Sequence, residues 1–172
     1  SEAVTIILSK AGWIRSAKGH DVEASNLTYR GEDKLQHFAK GRNNQTAVFF
    51  DSGGKAYSLQ AHSLPSARGM GEPLTGRVIS ESGVTFEGVA IGTDDSKILI
   101  SNSAGFGFIS NLSNAISNQK KGKQFMKVPE GSNVISPVTI NDNHKFVAAT
   151  FSTQDNKGCL LYTSPSPRDN LP

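Results

Sequence analysis

The sequence predicts an all-β fold made of repeated, radially arranged blades. Short apolar runs alternate with tight turns, and no segment shows the periodicity of an ordinary helix of about 10 to 14 residues. The chain also repeats itself, because the turn glycines Gly54 and Gly105 stand 51 residues apart and a basic, glycine-containing loop follows each of them. Repeats of this length are typical of propeller-like blades, and 172 residues suffice for three or four units.

The composition is that of a globular, turn-rich chain. Hydrophobic residues make up 36% and charged residues 19%, which is typical of a folded rather than a disordered protein. The formal net charge of +3 permits an anionic partner without requiring one. The single cysteine, Cys159, excludes an intrachain disulfide and a cysteine-based zinc site, and no apolar run approaches the roughly 20 residues of a membrane-spanning helix.

The first unit is predicted to open with a hairpin. Residues 4–8 are apolar and β-branched, Gly12 lies in the turn, and residues 13–16 alternate apolar with polar side chains. Residues 21–35 are polar and irregular. A tight basic turn is then predicted at Lys40, Gly41 and Arg42.

The second unit repeats this order and leads into the most distinctive stretch of the chain. Strands are predicted at residues 46–50 and 55–59, on either side of a turn in which Gly54 accommodates a positive φ without steric cost. The stretch at residues 64–76 then reads LPSARGMGEPLTG. A strand within residues 84–91 ends the unit.

The third unit has the same plan. A helical turn is predicted within residues 111–116, because Leu112 and Ile116 lie four residues apart on one face. The basic stretch at residues 118–123 follows and reads NQKKGK. The predicted strands of this unit are residues 97–100, 106–109, 125–128 and 134–140.

A fourth unit begins with a predicted strand at residues 145–150 and is incomplete. Gly158 stands 53 residues after the preceding turn glycine and is predicted to take the same role. From about Leu160 the sequence has three prolines and no further strand signal. The sequence therefore predicts a domain over residues 1–158 and an unrelated tail over residues 159–172.

The search of the sequence for catalytic and metal sites is negative. The histidines lack metal-ligand spacing, and the chain has neither a Gly-x-Ser-x-Gly elbow nor a Gly-Lys-Ser/Thr phosphate loop. We therefore predict no catalytic and no metal-binding residues, and a hydrolase built on His20 and a serine is the weakest alternative. The histidines are His20, His37, His62 and His144.

The basic loops are the candidate binding site. Lysines cluster without an intervening acid between Lys120 and Lys127, and Arg68 and Arg77 stand near glycines that let a partner approach the backbone. Their recurrence predicts cations on one rim, where a bent phosphate backbone meets several of them. An ordinary solvated surface and a scaffold for an acidic protein are the alternatives. The predicted DNA-binding residues are Lys18, Arg30, Lys40, Arg42, Arg68, Arg77, Lys120, Lys121 and Lys123.

Three aromatic residues lie in the returning strands of successive units. They are Trp13, Tyr57 and Phe108. Packing in the core is the favoured interpretation of these side chains, ahead of stacking on nucleic-acid bases.

Several segments of the chain resemble one known family. They read VTIILSKAGWIRSAKGHDVEASNLTYRGED, VFFDSGGKAYSLQAHSLPSARGMGEPLTG and LISNSAGFGFISNL, followed by KGK and PEG. From about Val4 to about Thr150 they resemble the C-terminal domain of the A subunit of bacterial topoisomerase IV. The resemblance implies a β-pinwheel, a propeller-like fold whose blades exchange strands, with about three blades and part of a fourth here. It also implies a non-catalytic domain that holds bent duplex DNA on a basic perimeter during decatenation and supercoil relaxation.

The gyrase A subunit is the related alternative. Its equivalent domain carries a Gln-Arg-Arg-Gly-Gly-Lys-Gly box in the first blade and wraps DNA, whereas residues 27–33 here read LTYRGED. This difference favours topoisomerase IV and implies inefficient wrapping. The family cleaves DNA with a tyrosine of an upstream domain and binds ATP in its B subunit. Because Tyr29, Tyr57 and Tyr162 lie outside that tyrosine's motif, the resemblance implies neither cleavage nor ATP binding by this chain.

The resemblance also implies partners and a setting. The expected partners are double-stranded DNA, the rest of the A subunit, and the B subunit of a heterotetramer, in the bacterial cytoplasm at the nucleoid and without a membrane span. The parent enzyme is expected to need ATP and Mg²⁺, and this domain to need no cofactor.

The two ends of the chain carry expectations of their own. The chain begins with Ser-Glu rather than methionine and stops inside a blade, so we expect a fragment with an aggregation-prone sheet edge near the fourth unit. Residues 159–172 resemble a translated sequencing-adapter read-through, and we expect them to be non-native.

Overall fold

The computed structural model shows antiparallel sheets that follow one another along the chain. It describes residues 1–140 and the backbone of two later strands, which lie at Val147–Ser152 and Lys157–Tyr162. None of the helices in this part is long and apolar enough to cross a membrane. They are 3-10 turns at Ala24–Asn26, Ala61–Ser63, Leu74–Gly76 and Leu112–Ala115, of which the last confirms the predicted helical turn.

The strands are numbered in chain order. They are β1 (Ala3–Ser9), β2 (Trp13–Lys18), β3 (Leu35–Arg42), β4 (Thr46–Asp51), β5 (Lys55–Gln60), β6 (Glu72–Pro73), β7 (Phe86–Gly92), β8 (Lys97–Asn102), β9 (Gly107–Asn111), β10 (Lys123–Gln124), β11 (Val134–Ile140), β12 (Val147–Ser152) and β13 (Lys157–Tyr162).

These strands form three blades and part of a fourth, as predicted. Blade 1 has the order β3-β1-β2-β6, blade 2 the order β7-β4-β5-β10 and blade 3 the order β11-β8-β9, while β12 pairs with β13. Each of the first three blades contains a hairpin, which is central in the four-stranded blades 1 and 2 and includes the edge strand β9 in the three-stranded blade 3. The fourth strand of blades 1 and 2 comes from the next unit, because β6 follows the blade 2 hairpin and β10 follows the blade 3 hairpin. Neighbouring blades are therefore tied together by exchanged strands.

Strands β3, β7 and β11 form the inner edges of the blades. β3 packs against β7, and β7 packs against β11. The Val89 N–H of β7 donates to Nδ1 of His37 in β3 at 2.9 Å, and the Ser136 hydroxyl of β11 donates to the Glu87 carbonyl of β7 at 2.7 Å. The exchanged strands β6 and β10 lie at the opposite edges, which are thus the outer edges.

Apolar layers fill the spaces between blades and bury the central strands on both faces. In β4, Ala47 and Phe49 join the layer between blades 1 and 2, whereas Val48 and Phe50 join the layer between blades 2 and 3. Burial on both faces explains why the central strands read as nearly continuous apolar runs rather than as alternating patterns. Blade 1 contributes Ile6, Leu8 and Ile14 to the first layer, and blade 3 contributes Ile98, Ile100 and Val134 to the second.

A buried polar residue starts each hairpin turn. Ser9, Asp51 and Asn102 are each no more than 2% exposed, and their side-chain oxygens accept N–H bonds from the turn backbone at 2.8 to 3.3 Å. A glycine with positive φ follows three residues later in every turn. These glycines are Gly12, Gly54 and Gly105, at φ angles of 85°, 86° and 93°.

The tight turn predicted at residues 40–42 is wrong. These residues end β3, which pairs with β1 along its length. Gly41 does not have a positive φ. A side chain is excluded at this position because a Cβ would lie only 2.7 Å from the Ile91 side chain of β7. The glycine therefore marks close packing between blades rather than a change of chain direction.

The prediction for the fourth unit is also partly wrong. Gly158 pairs with Phe151 inside the two-stranded sheet and is not a turn residue. Strand β13 continues to Tyr162, because residues 159–162 form an apolar run that precedes the prolines. Residues 163–172, the rest of the predicted tail, lie outside the described residues, and the non-native origin of this tail stays a prediction.

Candidate nucleic-acid interface

The two basic stretches of the sequence carry the exchanged strands. The first exchange segment, residues 64–79, leaves blade 2 and runs along the outer edge of blade 1, where β6 pairs with β2. The second exchange segment, residues 116–128, leaves blade 3 and runs along the outer edge of blade 2, where β10 pairs with β5. The recurrence of basic loops in the sequence thus reflects one structural role.

A glycine at the same place in each exchange segment permits its close approach to the blade. Gly71 has a φ of 90°, and a Cβ there would lie 2.3 Å from the Ile14 carbonyl oxygen. Gly122 has a φ of 72°, and a Cβ there would lie 2.7 Å from the Ala56 carbonyl oxygen. Both partners stand two residues after a hairpin glycine, so the two sites are structurally equivalent.

The exchange segments are bonded to the hairpin turns beyond these glycines. The Leu74 N–H donates to the Gly12 carbonyl at 2.9 Å, and the Phe125 N–H donates to the Gly54 carbonyl at 3.0 Å. The strand predicted at residues 125–128 is therefore displaced. Pairing takes place earlier, in β10, and the following apolar residues turn inward over the hairpin.

Three predicted cations lie along the outer edge of blade 1. Lys18 is the last residue of β2. Arg68 lies in the first exchange segment, whose backbone hydrogen-bonds to both the N–H and the carbonyl of Ser16 in β2. Arg30 lies in the loop before β3 with its guanidinium 4.3 Å from the centroid of the Trp13 ring. All three cations are exposed.

Three more predicted cations lie along the outer edge of blade 2. Lys120, Lys121 and Lys123 belong to the second exchange segment and are exposed. The Lys123 ammonium donates to the Asn114 carbonyl at 2.7 Å. The Ile79 N–H donates to the Lys120 carbonyl at 2.9 Å, so the end of the first exchange segment is bonded to the second. The two exchange segments therefore adjoin each other at this point.

The structure places the remaining predicted residues differently. Lys40 and Arg42 lie on β3, at the inner edge of blade 1, and are exposed there. Arg77 lies in the first exchange segment, but its guanidinium pairs with the Glu72 carboxylate at 3.0 Å and donates to the Ser63 carbonyl at 3.1 Å. Sequence spacing alone did not reveal which edge of a sheet each strand occupies.

Sequence reasoning missed a buried arginine beneath this surface. Arg15 is 3% exposed and donates from one guanidinium nitrogen to the Gly69 carbonyl and from the other to the Thr28 carbonyl, both at 2.8 Å. Its guanidinium also lies 4.7 Å from the Tyr29 ring centroid. The available signal was a charged residue three positions after a turn glycine, where Tyr57 stands in blade 2.

The aromatic residues of the returning strands are not equally buried. Tyr57 is fully buried and donates to the Asp51 carboxylate at 2.7 Å, and burial together with this carboxylate raises the pKa of Tyr57 above its usual range. Trp13 is half-buried beneath Arg30, and Phe108 is 39% exposed. The core packing predicted for all three is thus complete only for Tyr57.

The histidines that the structure describes lie in different surroundings. Burial lowers the pKa of His37 to about 4, and Nε2 of His20 bonds with the Gly41 carbonyl at 2.8 Å. His62 is exposed, and His144 lies outside the described residues. Within the described part, no group of three or more His, Cys, Asp or Glu side chains is placed to hold a metal ion.

The arrangement of blades has counterparts among solved structures. The E. coli ParC C-terminal domain matches with a TM-score of 0.78 and 38% identity, over 95% of this chain and 65% of that one. The DNA gyrase A C-terminal domain shares the fold, with a TM-score of 0.60 and 13% identity over 92% of this chain and 54% of that one. Blades linked by exchanged outer strands define a β-pinwheel, and within the described part its sheets do not close into a ring.

Sequence comparison identifies the family. The chain is 44% identical over 154 residues to the A subunit of DNA topoisomerase 4 from Pseudomonas aeruginosa, covering 90% of this chain and 20% of that protein. It is 43% identical over 142 residues to the same subunit of Escherichia coli K12, covering 83% and 19%. The chain belongs to the topoisomerase IV A-subunit family, in which it corresponds to the C-terminal domain rather than to the catalytic region. It spans about a fifth of the length of these curated relatives, and no protein-family model matches it.

Proposed function

We propose that the chain binds duplex DNA along the outer edges of its blades, chiefly through phosphate groups. The observation that carries this proposal is that two exchange segments bonded to each other both carry exposed cations along the outer edges of neighbouring blades. The names of the relatives, DNA topoisomerase and DNA gyrase, support DNA as the anionic partner. The proposed contact residues are Lys18, Arg30, Arg68, Lys120, Lys121 and Lys123.

The expected binding is electrostatic and tolerant of sequence. Lysine and arginine side chains along an outer edge neutralise phosphates and release counterions, which fixes the position of the duplex without reading its bases. The helices of the described part are single 3-10 turns, which are too short to lie in the major groove as recognition helices. Because the cations follow two adjoining blades, a curved duplex contacts more of them than a straight one.

In the longer protein, this grip on a curved duplex would present DNA to a catalytic core. We infer that its partners there are a B subunit of the enzyme and the remaining part of the A subunit, with ATP and Mg²⁺ serving the parent enzyme. Decatenation and supercoil relaxation at the bacterial nucleoid are the processes that such a geometry serves. These proposed partners and processes rest on membership of the family together with the basic outer edge.

Salt dependence tests the proposal. A labelled duplex of random sequence is titrated with the whole chain at several salt concentrations, beside two charge-matched triple variants. The outer-edge variant changes Arg68, Lys120 and Lys121 to Glu. The control changes Lys34, Lys40 and Arg42 to Glu, three exposed residues in or directly before the inner strand β3. The plot of log affinity against log salt should be steep, and the outer-edge variant should flatten it by about 0.9 for each phosphate that it no longer neutralises.

The control variant should stay close to the wild type. If the folded wild-type chain does not bind duplex at low salt, the proposal is wrong, and capture of an acidic protein becomes the next function to test. If both triple variants lose affinity equally, binding depends on net charge and the outer edge has no special part.

A further inference from the structure

Arg15 is buried without a carboxylate partner among the described residues. The ion pairs of that part are Lys55 with Glu81 and Arg77 with Glu72. The Arg15 guanidinium instead meets two backbone carbonyls and an aromatic face. A buried charge that only neutral groups solvate is costly, and an apolar side chain of similar size is often no less stabilising. Stability alone is therefore a weak reason for arginine at this position.

The two carbonyls belong to the two loops that present cations at the outer edge of blade 1. Thr28 lies two residues before Arg30, and Gly69 directly follows Arg68. Because one planar guanidinium bonds both oxygens at 2.8 Å, those oxygens lie at most about 8 Å apart. Arg15 therefore fixes the spacing of two loops that share no regular strand pairing with each other.

Tyr57 occupies the position in blade 2 that is equivalent to Arg15, and comparing the two shows which role is packing and which is bridging. A Cβ at Gly122 would lie 2.8 Å from the Tyr57 ring, and a Cβ at Gly71 would lie 3.3 Å from Cβ of Arg15. Both side chains thus support an exchange glycine from below. In blade 2 a tyrosine provides this packing, so packing alone does not require the guanidinium of Arg15. Its guanidinium bonds the two loops in addition.

We propose that Arg15 is a positioning residue that makes Arg30 and Arg68 act on DNA phosphates as a single unit. It holds the two loops at a fixed spacing and adds its own unneutralised charge beneath them. A phosphate bound between the two exposed arginines is the counterion that the described residues do not provide. This inference rests on the proposed DNA-binding function.

The test is a set of affinity cycles on the whole chain with a labelled random-sequence duplex at fixed salt. Arg30→Gln, Arg68→Gln and their double variant are measured in three backgrounds: wild type, Arg15→Tyr and Arg15→Lys. Arg15→Tyr copies the residue of blade 2 and preserves packing, whereas Arg15→Lys keeps the charge but cannot bridge both carbonyls with one fork. Thermal unfolding of each variant shows whether it is folded.

In the wild-type background, the double variant should lose less affinity than the product of the two single losses, because either change alone breaks the unit. Arg15→Tyr should itself weaken binding about tenfold, and the two glutamine effects should become smaller and independent. Arg15→Lys should also abolish the coupling. A folded Arg15→Tyr chain with wild-type affinity and wild-type coupling would overturn the proposal.

A second measurement does not depend on the Arg15 variants. Trp13 is the one tryptophan of the chain and lies beneath the Arg30 guanidinium, so its fluorescence reports on Arg30 when duplex binds. Arg68→Gln should reduce the fluorescence change at saturating duplex, and an unchanged response would overturn the coupling. If wild type does not bind duplex, the proposed function fails and this inference fails with it. If it binds without coupling, only this inference fails.

Discussion

At the scale of single residues, buried polar side chains fix the hairpin turns. One oxygen of the Asp51 carboxylate accepts the N–H groups of Gly53 and Lys55 at 2.8 and 3.0 Å, and the other accepts the Tyr57 hydroxyl at 2.7 Å. The raised pKa of Tyr57 keeps its hydroxyl protonated and therefore a donor. Loss of either partner leaves a buried polar group unsatisfied.

Substitutions at this pair should therefore destabilise the domain. Asp51→Ala should cost about 2–4 kcal/mol of unfolding free energy and Tyr57→Phe about 1–2 kcal/mol. Urea unfolding of the whole chain measures both, with the exposed Ser82→Ala as a control. An Asp51→Ala chain as stable as the control would show that the carboxylate does not hold the turn.

His37 should make stability depend on pH. Burial lowers its pKa from 6.5 to about 4, and Nδ1 accepts the Val89 N–H, which requires that nitrogen to be unprotonated. Between these two pH values the unfolded chain binds a proton that the folded chain does not, so stability falls as the pH falls through this window. The shift corresponds to at most about 3 kcal/mol, and the incomplete burial of this residue reduces the expected effect to about 1–2 kcal/mol.

The comparison of wild type with His37→Asn isolates this contribution. Asparagine keeps an acceptor for the Val89 N–H but does not titrate. Urea unfolding at several pH values should show a smaller loss of stability in the variant between pH 6.5 and 4, whereas the exposed His62→Asn should follow wild type. Parallel curves for wild type and His37→Asn would contradict the assignment.

At the scale of elements, exchange of strands depends on glycines that let two backbones meet. Gly122 combines a positive φ with a near contact to the preceding blade, whereas Gly105 has a positive φ and open space around it. Gly76 has neither constraint. These three positions separate the cost of conformation from the cost of contact.

Alanine at each position should therefore have a graded effect. Gly76→Ala should be nearly neutral, Gly105→Ala should cost about 1 kcal/mol from φ strain, and Gly122→Ala should cost more than either because its Cβ meets the Ala56 carbonyl. Urea unfolding gives the costs, and amide exchange of residues 119–126 shows whether the exchanged strand is released. Equal costs at Gly105 and Gly122 would mean that the close approach is not needed.

Sequence patterns predicted the long elements and not the exchange. Apolar runs and turn glycines located both hairpin strands of blade 2, because those strands are buried on two faces. The two-residue strands β6 and β10 are too short to show a periodic pattern, and the strand that each pairs with lies in the preceding blade. The sequence pattern at Gly41 likewise suggests a turn, whereas the structure shows that the glycine is required by close packing against Ile91 of another blade.

At the scale of the whole molecule, the candidate site lies along the outer edges of neighbouring blades. The sequence showed that basic loops recur but not that they run along β2 and β5, because edge and centre positions depend on the pairing of distant strands. Spacing in the sequence predicts that Lys40 and Arg42 belong to the basic rim, whereas the pairing of β3 with β1 places them at the inner edge. The sequence does not predict the burial of Arg15, because whether a charged side chain is buried depends on the tertiary fold.

Chemical labelling of lysines tests the central claim most directly. The whole chain is treated with an amine-acylating reagent at low salt, with and without a saturating random-sequence duplex, and the extent of modification at each lysine is measured by mass spectrometry. Duplex should protect Lys18, Lys120, Lys121 and Lys123 and leave the reactivity of Lys40 unchanged, because the first four lysines lie along the outer edges and Lys40 lies at the inner edge. Protection of Lys40 with no protection of Lys120 and Lys121 would place DNA at the inner edge and contradict the proposed interface.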